Sequence, residues 1–223
     1  SRAVADHALM VMLSLYRRLT AADRAMREGR WSAAIDGMNT FEMAEKRVGI
    51  FGFGNIGRKV ARRVQSCDAV VQYHDIFPPA PELERELAVT RVSLEELFRT
   101  SDIITFHAPL TNDTRHVVNR EHLAMMKPTA VLINTSRGPV VDEPALIEAL
   151  QQKRIAGAGL DVFEKEPIDP GNPLLKLDNV VVTPHSAGTT WDTWFRRAEF
   201  AYQNFQRVWA GEPPEGVATD YDL

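Results

Sequence analysis

The 223-residue sequence predicts an α/β fold built on a doubly wound parallel sheet. Short apolar segments, of the kind that strands buried on both faces need, alternate with segments of helical periodicity. Polar segments that contain glycine follow several of the apolar ones, and one glycine-rich turn joins the first predicted strand to a helix. This alternation indicates a parallel sheet covered by helices on both faces, and ligands of such sheets bind beyond the carboxyl ends of the strands.

The first predicted element is a long helix over residues 4–28. It is apolar on nearly all sides as far as Tyr16 and amphipathic beyond, and Gly29 marks its end. A helix with this pattern has to pack between other elements. Residues 31–45 show no sustained periodicity, so they predict an arm or loop that leads to the first strand.

The next stretch, residues 47–75, carries the strongest local signal. An apolar strand at residues 48–51 leads into GFGNIG at residues 52–57, which fits G-x-G-x-x-G. The first glycine of this motif makes a tight turn, the second lets the backbone approach a pyrophosphate, and the third lets the helix pack on its strand. A second strand at residues 69–73 precedes Asp75, at the distance where a carboxylate binds ribose hydroxyls. The combination is typical of a Rossmann-type nucleotide-binding domain.

The remaining elements continue the alternation. A proline-rich break at residues 77–81 is followed by SLEE at residues 93–96, which is a capping box for a short helix. Further strands are predicted at residues 102–106, 130–134, 156–162 and 179–183, and further helices at residues 121–126, 142–152 and 189–209. The last helix carries an aromatic stripe, a pattern more typical of a core or a subunit interface than of a cofactor site.

Composition excludes several classes of function. Thirty acidic residues against 26 basic ones give a formal net charge of −4, so no basic surface for nucleic acid or an anionic membrane is expected. The apolar stretch at residues 8–16 is too short to span a bilayer, which takes about 20 residues. Cys67 is the single cysteine, which excludes an internal disulfide and indicates a reducing, cytoplasmic location. The histidines do not cluster at metal-ligand spacing, so no metal site is expected.

Four polar residues at or beyond the ends of predicted strands are candidates for a site. Arg137 suits either a bidentate carboxylate ligand or a structural ion pair. His185 and Glu166, taken alone, are more often structural or solvated, and Asp161 suits either a cofactor contact or the cap of a turn. The absence of G-x-S-x-G and Walker A patterns removes the commonest hydrolase and NTPase interpretations.

Three longer motifs narrow these alternatives. They are NTSRGPVVDE at residues 134–143, GAGLDVFEKEP at residues 157–167 and TPH at residues 183–185. With the glycine turn, they make the chain resemble the D-isomer-specific 2-hydroxyacid dehydrogenase family. The resemblance implies three catalytic residues: Arg137 would hold the substrate carboxylate and polarise its carbonyl, and His185 would exchange the proton. Glu166 would pair with the imidazole, fix its tautomer and favour its protonated form.

The resemblance also implies the cofactor. Asp75 favours NAD, because a carboxylate binds the ribose hydroxyls and repels a 2'-phosphate, and residues 74–77 contain no arginine that would accept one. The implied cofactor contacts are Gly52, Gly54, Asn55, Ile56, Gly57, Asp75, His107, Pro109, Thr135, Ser136, Arg137, Asp161, His185, Ala187 and Gly188.

The domain organisation implied by the resemblance has three parts. Residues 1–28 would be an interdomain helix, residues 29–188 the NAD-binding domain with an arm at 31–45 for a homodimer, and residues 189–223 a helix and tail that return toward a substrate domain. Half of that substrate domain would precede this sequence. We therefore expect the 223-residue chain to bind NAD(H) but to turn over poorly.

The expected activity is hydride transfer between NAD and a small 2-keto or 2-hydroxy acid, whose identity the sequence leaves open. Two alternatives use the same fold. One is a corepressor-like binding protein that senses NAD(H), and the other is a phosphite dehydrogenase.

Overall fold

The structure, a computed structural model, describes residues 2–31 and 40–217. These belong to two compact units, residues 1–187 and residues 188–223. The helices and strands of the first unit are α1 (Arg2–Tyr16), α2 (Leu19–Arg27), β1 (Arg47–Phe51), α3 (Asn55–Gln65), β2 (Val70–His74), α4 (Pro81–Glu86), β3 (Val89–Arg91), α5 (Leu94–Thr100), β4 (Ile103–Phe106), α6 (Arg120–Met125), β5 (Val131–Asn134), α7 (Glu143–Gln151), β6 (Gly157–Leu160) and β7 (Val180–Val182).

The seven strands of the described residues form one parallel sheet in the order β3-β2-β1-β4-β5-β6-β7. The predicted doubly wound parallel sheet is therefore confirmed. The order reverses between β1 and β4, which is where such sheets bind nucleotides. Phe51 at the end of β1 is in register with both His74 and Phe106, so the loops that begin at Gly52 and His107 leave the sheet side by side.

Two apolar clusters cover the two faces of the sheet. One packs α5, α6 and α7 against the strands, and the other packs α1 and α3. Neighbouring strand residues alternate between them: Ile104 and Leu132 belong to the first cluster, and Ile103 and Ile133 to the second. Burial on both faces explains why the strands read as continuous apolar runs in the sequence.

The predicted continuous helix over residues 4–28 is wrong. The chain leaves the helix after Tyr16, and Arg18 has a left-handed backbone with φ of 49° before α2 begins at Leu19. A left-handed residue cannot continue a right-handed helix. The break divides two environments, because α1 buries seven of its residues and α2 buries none.

Two elements, α4 and β3, were not predicted. The proline-rich segment does break the chain, but Pro81 opens α4 as a first-turn proline, which needs no amide donor there. The strand β3 has three residues at the edge of the sheet, too few to show a periodicity.

Two of the predicted helices begin at N-cap residues, and the cap at Ser93 is the one that the capping box predicts. Ser93 accepts a hydrogen bond from the amide of Glu96 at 3.1 Å, and Asp142 accepts one from the amide of Ala145 at 3.1 Å. The strand β6 is shorter than predicted: it ends at Leu160 and not at residue 162. Asp161 therefore lies just past the end of the strand, in the loop region.

The second unit contains helix α8 (Trp191–Trp209), which Thr190 caps by accepting from the amide of Thr193 at 3.1 Å. None of the residues of α8 is buried, and Trp191 is 76% exposed. The aromatic stripe is thus not a core of the described residues, and its use as a subunit interface stays a prediction. Residues 32–39 of the predicted arm and 218–223 of the predicted tail lie outside the described residues.

No helix in the described ranges combines the length and the apolar character needed to cross a bilayer.

Candidate functional site

The glycine turn lies at the carboxyl end of β1, with space on one side and tight packing on the other. A Cβ atom at Gly54 would meet no atom within 4 Å. At Gly52, whose φ is 90°, a Cβ would lie 2.6 Å from the amide nitrogen of Ala108, and at Gly57 it would lie 2.3 Å from the carbonyl oxygen of Gly52. The turn therefore excludes side chains where it packs on the next loop and on its own helix, and it leaves its backbone open at Gly54, where a phosphate could approach.

Asp75, after β2, is held against this turn. Its Oδ2 accepts from the amide of Phe53 at 2.5 Å and its Oδ1 from the amide of Phe77 at 2.7 Å. The two amides fix the carboxylate beside the turn, as a ribose-binding residue requires.

An arginine that sequence reasoning missed lies at the same place. Arg91, at the end of β3, donates from Nη2 to the carbonyl oxygen of Asp75 at 3.0 Å. Residues 74–77 contain no arginine, but the register that pairs Tyr73 with Arg91 brings this one from 16 residues away. Only knowledge of the β2–β3 pairing would have revealed it.

Two further positively charged side chains, those of Arg58 and Lys59, lie in the first turns of α3. Lys59 Nζ contacts the carbonyl oxygen of Asn55 at 3.4 Å and also its side-chain oxygen, and Arg58 donates from Nε to the carbonyl oxygen of Phe53 at 3.0 Å. Sequence reasoning placed Asn55 and Ile56 at the pyrophosphate but did not single out these neighbours. Their charge adds to the positive end of the helix dipole at this turn.

Two buried polar atoms near the switch point have no hydrogen-bond partner among the described residues, Nδ1 of His107 and Oγ1 of Thr135. His107 Nε2 lies 2.9 Å from Thr105 Oγ1, and burial lowers the pKa of His107 to about 3, so its ring is neutral at pH 7. Buried polar atoms are normally paired. The two free atoms therefore suit a ligand with polar groups of its own, as a dinucleotide has, and Pro109 lies exposed at the rim beside them.

The loop after β5 presents Arg137. Asn134 closes this loop, because its Nδ2 donates to the carbonyl oxygen of Arg137 at 2.9 Å and its Oδ1 accepts from the hydroxyl of Ser136 at 2.8 Å. Arg137 is exposed, and its Nη1 donates to the carbonyl oxygen of Ser136 at 2.7 Å. The guanidinium is thus exposed to solvent, on a loop that hydrogen bonds hold in place.

Gly138 then brings this loop against the segment that follows β6. A Cβ atom there would lie 1.7 Å from the carbonyl oxygen of Phe163. The contact needs a glycine, and it puts Arg137 close enough to Glu166 to affect the ionisation of that carboxyl.

Glu166 and His185 form a hydrogen-bonded pair. His185 Nδ1 lies 2.6 Å from Glu166 Oε2, and Glu166 Oε1 accepts from the amide of Phe163 at 3.0 Å. Burial disfavours the charged carboxylate, but the hydrogen bonds from His185 and Phe163 and the charge of Arg137 lower the pKa of Glu166 below its ordinary value. An ionised carboxylate only accepts, so Nδ1 of His185 carries a hydrogen and Nε2 is left to exchange a proton.

Asp161 is buried, with 1% of its surface exposed, and holds the turn that carries His185. Its Oδ1 accepts from the hydroxyl of Thr183 at 2.5 Å and from the amide of Ser186 at 2.9 Å, and its Oδ2 accepts from the amide of Ala187 at 2.9 Å. The structure thus assigns Asp161 the capping role. Its predicted contact with a cofactor stays a prediction, as does that of Gly188, which opens the second unit.

The carboxyl edge of the sheet therefore gathers a nucleotide-type turn, a carboxylate beside it, and a histidine–glutamate pair near an exposed arginine. Among residues 2–31 and 40–217, no group of three or more histidine, cysteine, aspartate or glutamate side chains is placed to hold a metal ion.

Comparison with known proteins was consistent across sequence and structure. The family model described as "D-isomer specific 2-hydroxyacid dehydrogenase, NAD binding domain" matches residues 9–187. A glyoxylate reductase of Korarchaeum cryptofilum is 44% identical over 215 residues, which are 96% of this chain and 64% of that relative. A D-3-phosphoglycerate dehydrogenase of Archaeoglobus fulgidus is 39% identical over 83% of this chain and 35% of its own length.

Among solved structures, D-lactate dehydrogenase with NAD+ from Lactobacillus jensenii superposes with a TM-score of 0.87 at 30% identity, over 98% of this chain and 68% of that one. The chain thus spans about two thirds of the length of several proteins that it matches.

Proposed function

The chain belongs to the D-isomer-specific 2-hydroxyacid dehydrogenase family, and on that premise we propose that the whole protein is an NAD-dependent oxidoreductase. It interconverts a small D-2-hydroxy acid and the corresponding 2-keto acid. The observation that supports this most is the pairing of His185 Nδ1 with Glu166 at 2.6 Å, on the sheet edge that carries the glycine turn. A histidine with a purely structural role would not need a free Nε2 at this edge of the sheet.

The residues of the edge fit a dinucleotide. The open backbone at Gly54 would receive the pyrophosphate, and the Asp75 carboxylate would accept from the ribose hydroxyls. The unpartnered Thr135 Oγ1 and His107 Nδ1 would bind polar groups of the cofactor. When bound, NADH supplies the hydride.

His185 would move the proton. In reduction, Nε2 gives its proton to the carbonyl oxygen of the keto acid while C2 gains the hydride, so the product is the neutral hydroxyl group. In oxidation the same nitrogen accepts the hydroxyl proton. Glu166 fixes the orientation and tautomer of the ring through Nδ1, and the lowered pKa of Glu166 keeps the carboxylate ionised throughout the neutral range.

Arg137 would bind the substrate. Its exposed guanidinium presents paired N–H groups that match a carboxylate in bidentate fashion. Binding at that position would place the adjacent keto carbon near His185, because the β5 loop packs on the segment that bears Glu166. Orientation of this kind contributes a large share of catalysis in two-substrate reactions.

The substrate side chain is the open part of the proposal. The matched relatives are named for glyoxylate, phosphoglycerate and lactate, which share the 2-oxygenated acid and differ in the rest. We propose glyoxylate and hydroxypyruvate as the first substrates to test, since glyoxylate reductases are among the most similar relatives.

The test is NADH oxidation by the full-length protein with glyoxylate, hydroxypyruvate, pyruvate and phosphohydroxypyruvate, beside the variant His185→Asn. Turnover with at least one acid, lost in the variant while NADH binding is kept, supports the proposal. NADH binding without turnover of any acid contradicts it and indicates a binding protein. NAD+ reduction by phosphite alone contradicts it in favour of the phosphite alternative.

A further inference from the structure

A second histidine approaches the site from the opposite end of the sequence. His7, on α1, has Nε2 2.9 Å from Thr183 Oγ1 and 3.7 Å from Asp161 Oδ1. Its side chain is only 13% exposed, and that of Asp161 is 1% exposed. The contact spans 176 residues of sequence. Neither composition nor any motif pointed to it.

The donors and acceptors among His7, Thr183 and Asp161 can be assigned from the number of hydrogens that each side chain can donate. Asp161 accepts from two backbone amides, those of Ser186 and Ala187, and as a carboxylate it also accepts from Thr183. The single hydroxyl hydrogen of Thr183 is therefore used on Asp161, at 2.5 Å. Thr183 can then only accept from His7, so Nε2 of His7 carries a hydrogen.

Asp161 controls the backbone on which His185 stands. Its carbonyl oxygen accepts from the amide of His185 at 2.7 Å, and its carboxylate accepts from the next two amides. One residue thus binds three consecutive amides. His185 has a left-handed backbone with φ of 50°, which is unfavourable for a residue other than glycine and persists only where surroundings enforce it.

Close packing of α1 on β6 brings His7 within reach. A Cβ atom at Gly159 would lie 2.1 Å from Val11 Cγ1, so the glycine lets the helix lie directly on the strand. His7 is one turn earlier on α1, toward the carboxyl edge where β6 and β7 end at Asp161 and Thr183. The helix thereby acts as a rigid support for a hydrogen-bond donor.

We propose that His7 is a positioning residue for His185. His7 orients the Thr183 hydroxyl, and that hydroxyl fixes the Asp161 carboxylate. Asp161 in turn holds the strained turn and keeps the His185 imidazole in contact with Glu166. The catalytic consequence rests on the proposed function, whereas the positioning itself does not. The proposed function by itself gives His7 no role.

Two variants of similar size separate hydrogen bonding from packing. His7→Leu fills the space without a donor, and His7→Gln keeps an N–H that can reach Thr183. The first readout is ¹⁵N NMR of the histidine rings in the 223-residue chain, whose six histidines can be assigned by substitution. We expect His7 protonated at Nε2, His185 ring signals displaced in His7→Leu, and wild-type His185 signals in His7→Gln.

The second readout is kcat of the full-length protein with glyoxylate or the best keto acid. We expect a fall of about 10- to 100-fold in His7→Leu, the size of effect that small misplacements of a catalytic group produce, and recovery in His7→Gln. If His7→Leu leaves the His185 ring signals unchanged, the proposal is overturned. It is also overturned if both variants displace those signals equally, because packing would then be the cause.

A second pair of variants keeps the test decisive if His7→Leu does not fold. Thr183→Ser keeps the hydroxyl and Thr183→Val removes it, so only the latter is expected to displace the His185 signals. If the wild-type protein turns over no keto acid but the ring signals respond as expected, the proposed function fails and the positioning role stands.

Discussion

At the scale of single residues, the site is defined by carboxylates that each organise other groups. Glu166 joins His185 to the amide of Phe163, Asp75 joins two amides beside the glycine turn, and Asp161 binds a whole turn. Carboxylates that accept several N–H groups are held in one position. The expected effects of changing them are therefore specific.

Glu166→Gln should remove the negative charge that faces Nδ1 of His185 while keeping a side chain of similar shape. We expect kcat for keto acid reduction to fall about 100-fold, within the range of general acid–base effects, with a smaller change in KM. Steady-state kinetics of the full-length protein provide the measurement. A variant with wild-type kcat would show that the pair has no part in proton transfer.

The same pair has a defined pH dependence. The pKa of Glu166 is lowered in the folded protein. The ionised carboxylate therefore stabilises the fold at pH values above the ordinary pKa of a glutamate, and this contribution is lost as the pH falls through the lowered pKa. The difference in unfolding free energy between wild type and Glu166→Gln should therefore be constant near neutral pH and shrink below about pH 4.5. Urea unfolding across this range measures it, and a difference that grows on acidification would contradict the assignment.

Arg91, which donates to the carbonyl oxygen of Asp75, leads us to predict that one substitution can change the nucleotide preference. In Asp75→Ser, loss of the carboxylate should weaken NADH binding about 10-fold, and NADPH binding should strengthen by about the same factor because Arg91 can meet the 2'-phosphate. Fluorescence titration with both nucleotides measures the two Kd values. The matched control is Asp75→Ser with Arg91→Ala, in which the NADPH gain should vanish; an undiminished gain would exclude Arg91.

The pairing of His185 with Glu166 could be predicted from the sequence, but only through long motifs. Position alone favoured ordinary structural roles for His185 and Glu166, and the resemblance reversed that preference. Arg91 and His7 were out of reach, since each depends on a pairing between distant segments. The left-handed backbone of His185 was also out of reach, because it is enforced by Asp161 and not by local propensity.

At the scale of elements, the loops after the strands are held by close contacts that tolerate no side chain. Gly138 and Gly54 make a matched pair, because a Cβ would lie 1.7 Å from Phe163 O at the first and meet nothing within 4 Å at the second. Gly138→Ala should lower the unfolding free energy by about 3 kcal/mol, as overpacking does. Gly54→Ala should change it by less than about 1 kcal/mol and weaken NADH binding about 10-fold instead.

Urea denaturation and NADH titration of both variants test this contrast. If Gly138→Ala were as stable as Gly54→Ala, the β5 loop would not be pressed against the Phe163 segment as described.

Asp102, just before β4, ties two elements together at the opposite edge of the sheet. It accepts from Lys127 Nζ at 2.8 Å and from the amide of Arg47 at 2.9 Å. Burial opposes its ionisation, but the bonds to Lys127 and Arg47 lower the pKa of Asp102. Asp102→Asn should cost about 1–2 kcal/mol of unfolding free energy at pH 7. The cost should begin to fade below about pH 4, near the ordinary pKa of an aspartate, and disappear as the pH falls through the lowered pKa of Asp102. Thermal or urea unfolding at several pH values checks this, and a cost independent of pH would refute it.

Element existence was easier to predict than element limits. Buried strands and the capping box that begins at Ser93 gave clear signals. The break at Arg18 and the short pair α4 and β3 gave none, because a charged dipeptide is compatible with a helix and three edge residues show no period.

At the scale of the whole molecule, the sheet order explains why residues so far apart in sequence meet. In a parallel sheet every strand ends at the same edge, and the reversal between β1 and β4 opens a crevice there. This architecture was predictable, since continuous apolar strands separated by helices leave few other arrangements. The aromatic face of α8, in the second unit, was not explained by it.

The most direct test of the account follows the hydride itself. The full-length protein is given glyoxylate or hydroxypyruvate with NADH that carries deuterium at both C4 positions of the nicotinamide ring, and the product is examined by NMR. We expect the wild type to place deuterium at C2 of the hydroxy acid, and we expect this labelling to be lost in His185→Asn although the variant still binds the nucleotide. A product without deuterium, or equal labelling by wild type and variant, would contradict the claim that this edge of the sheet performs hydride transfer with His185 as its proton donor.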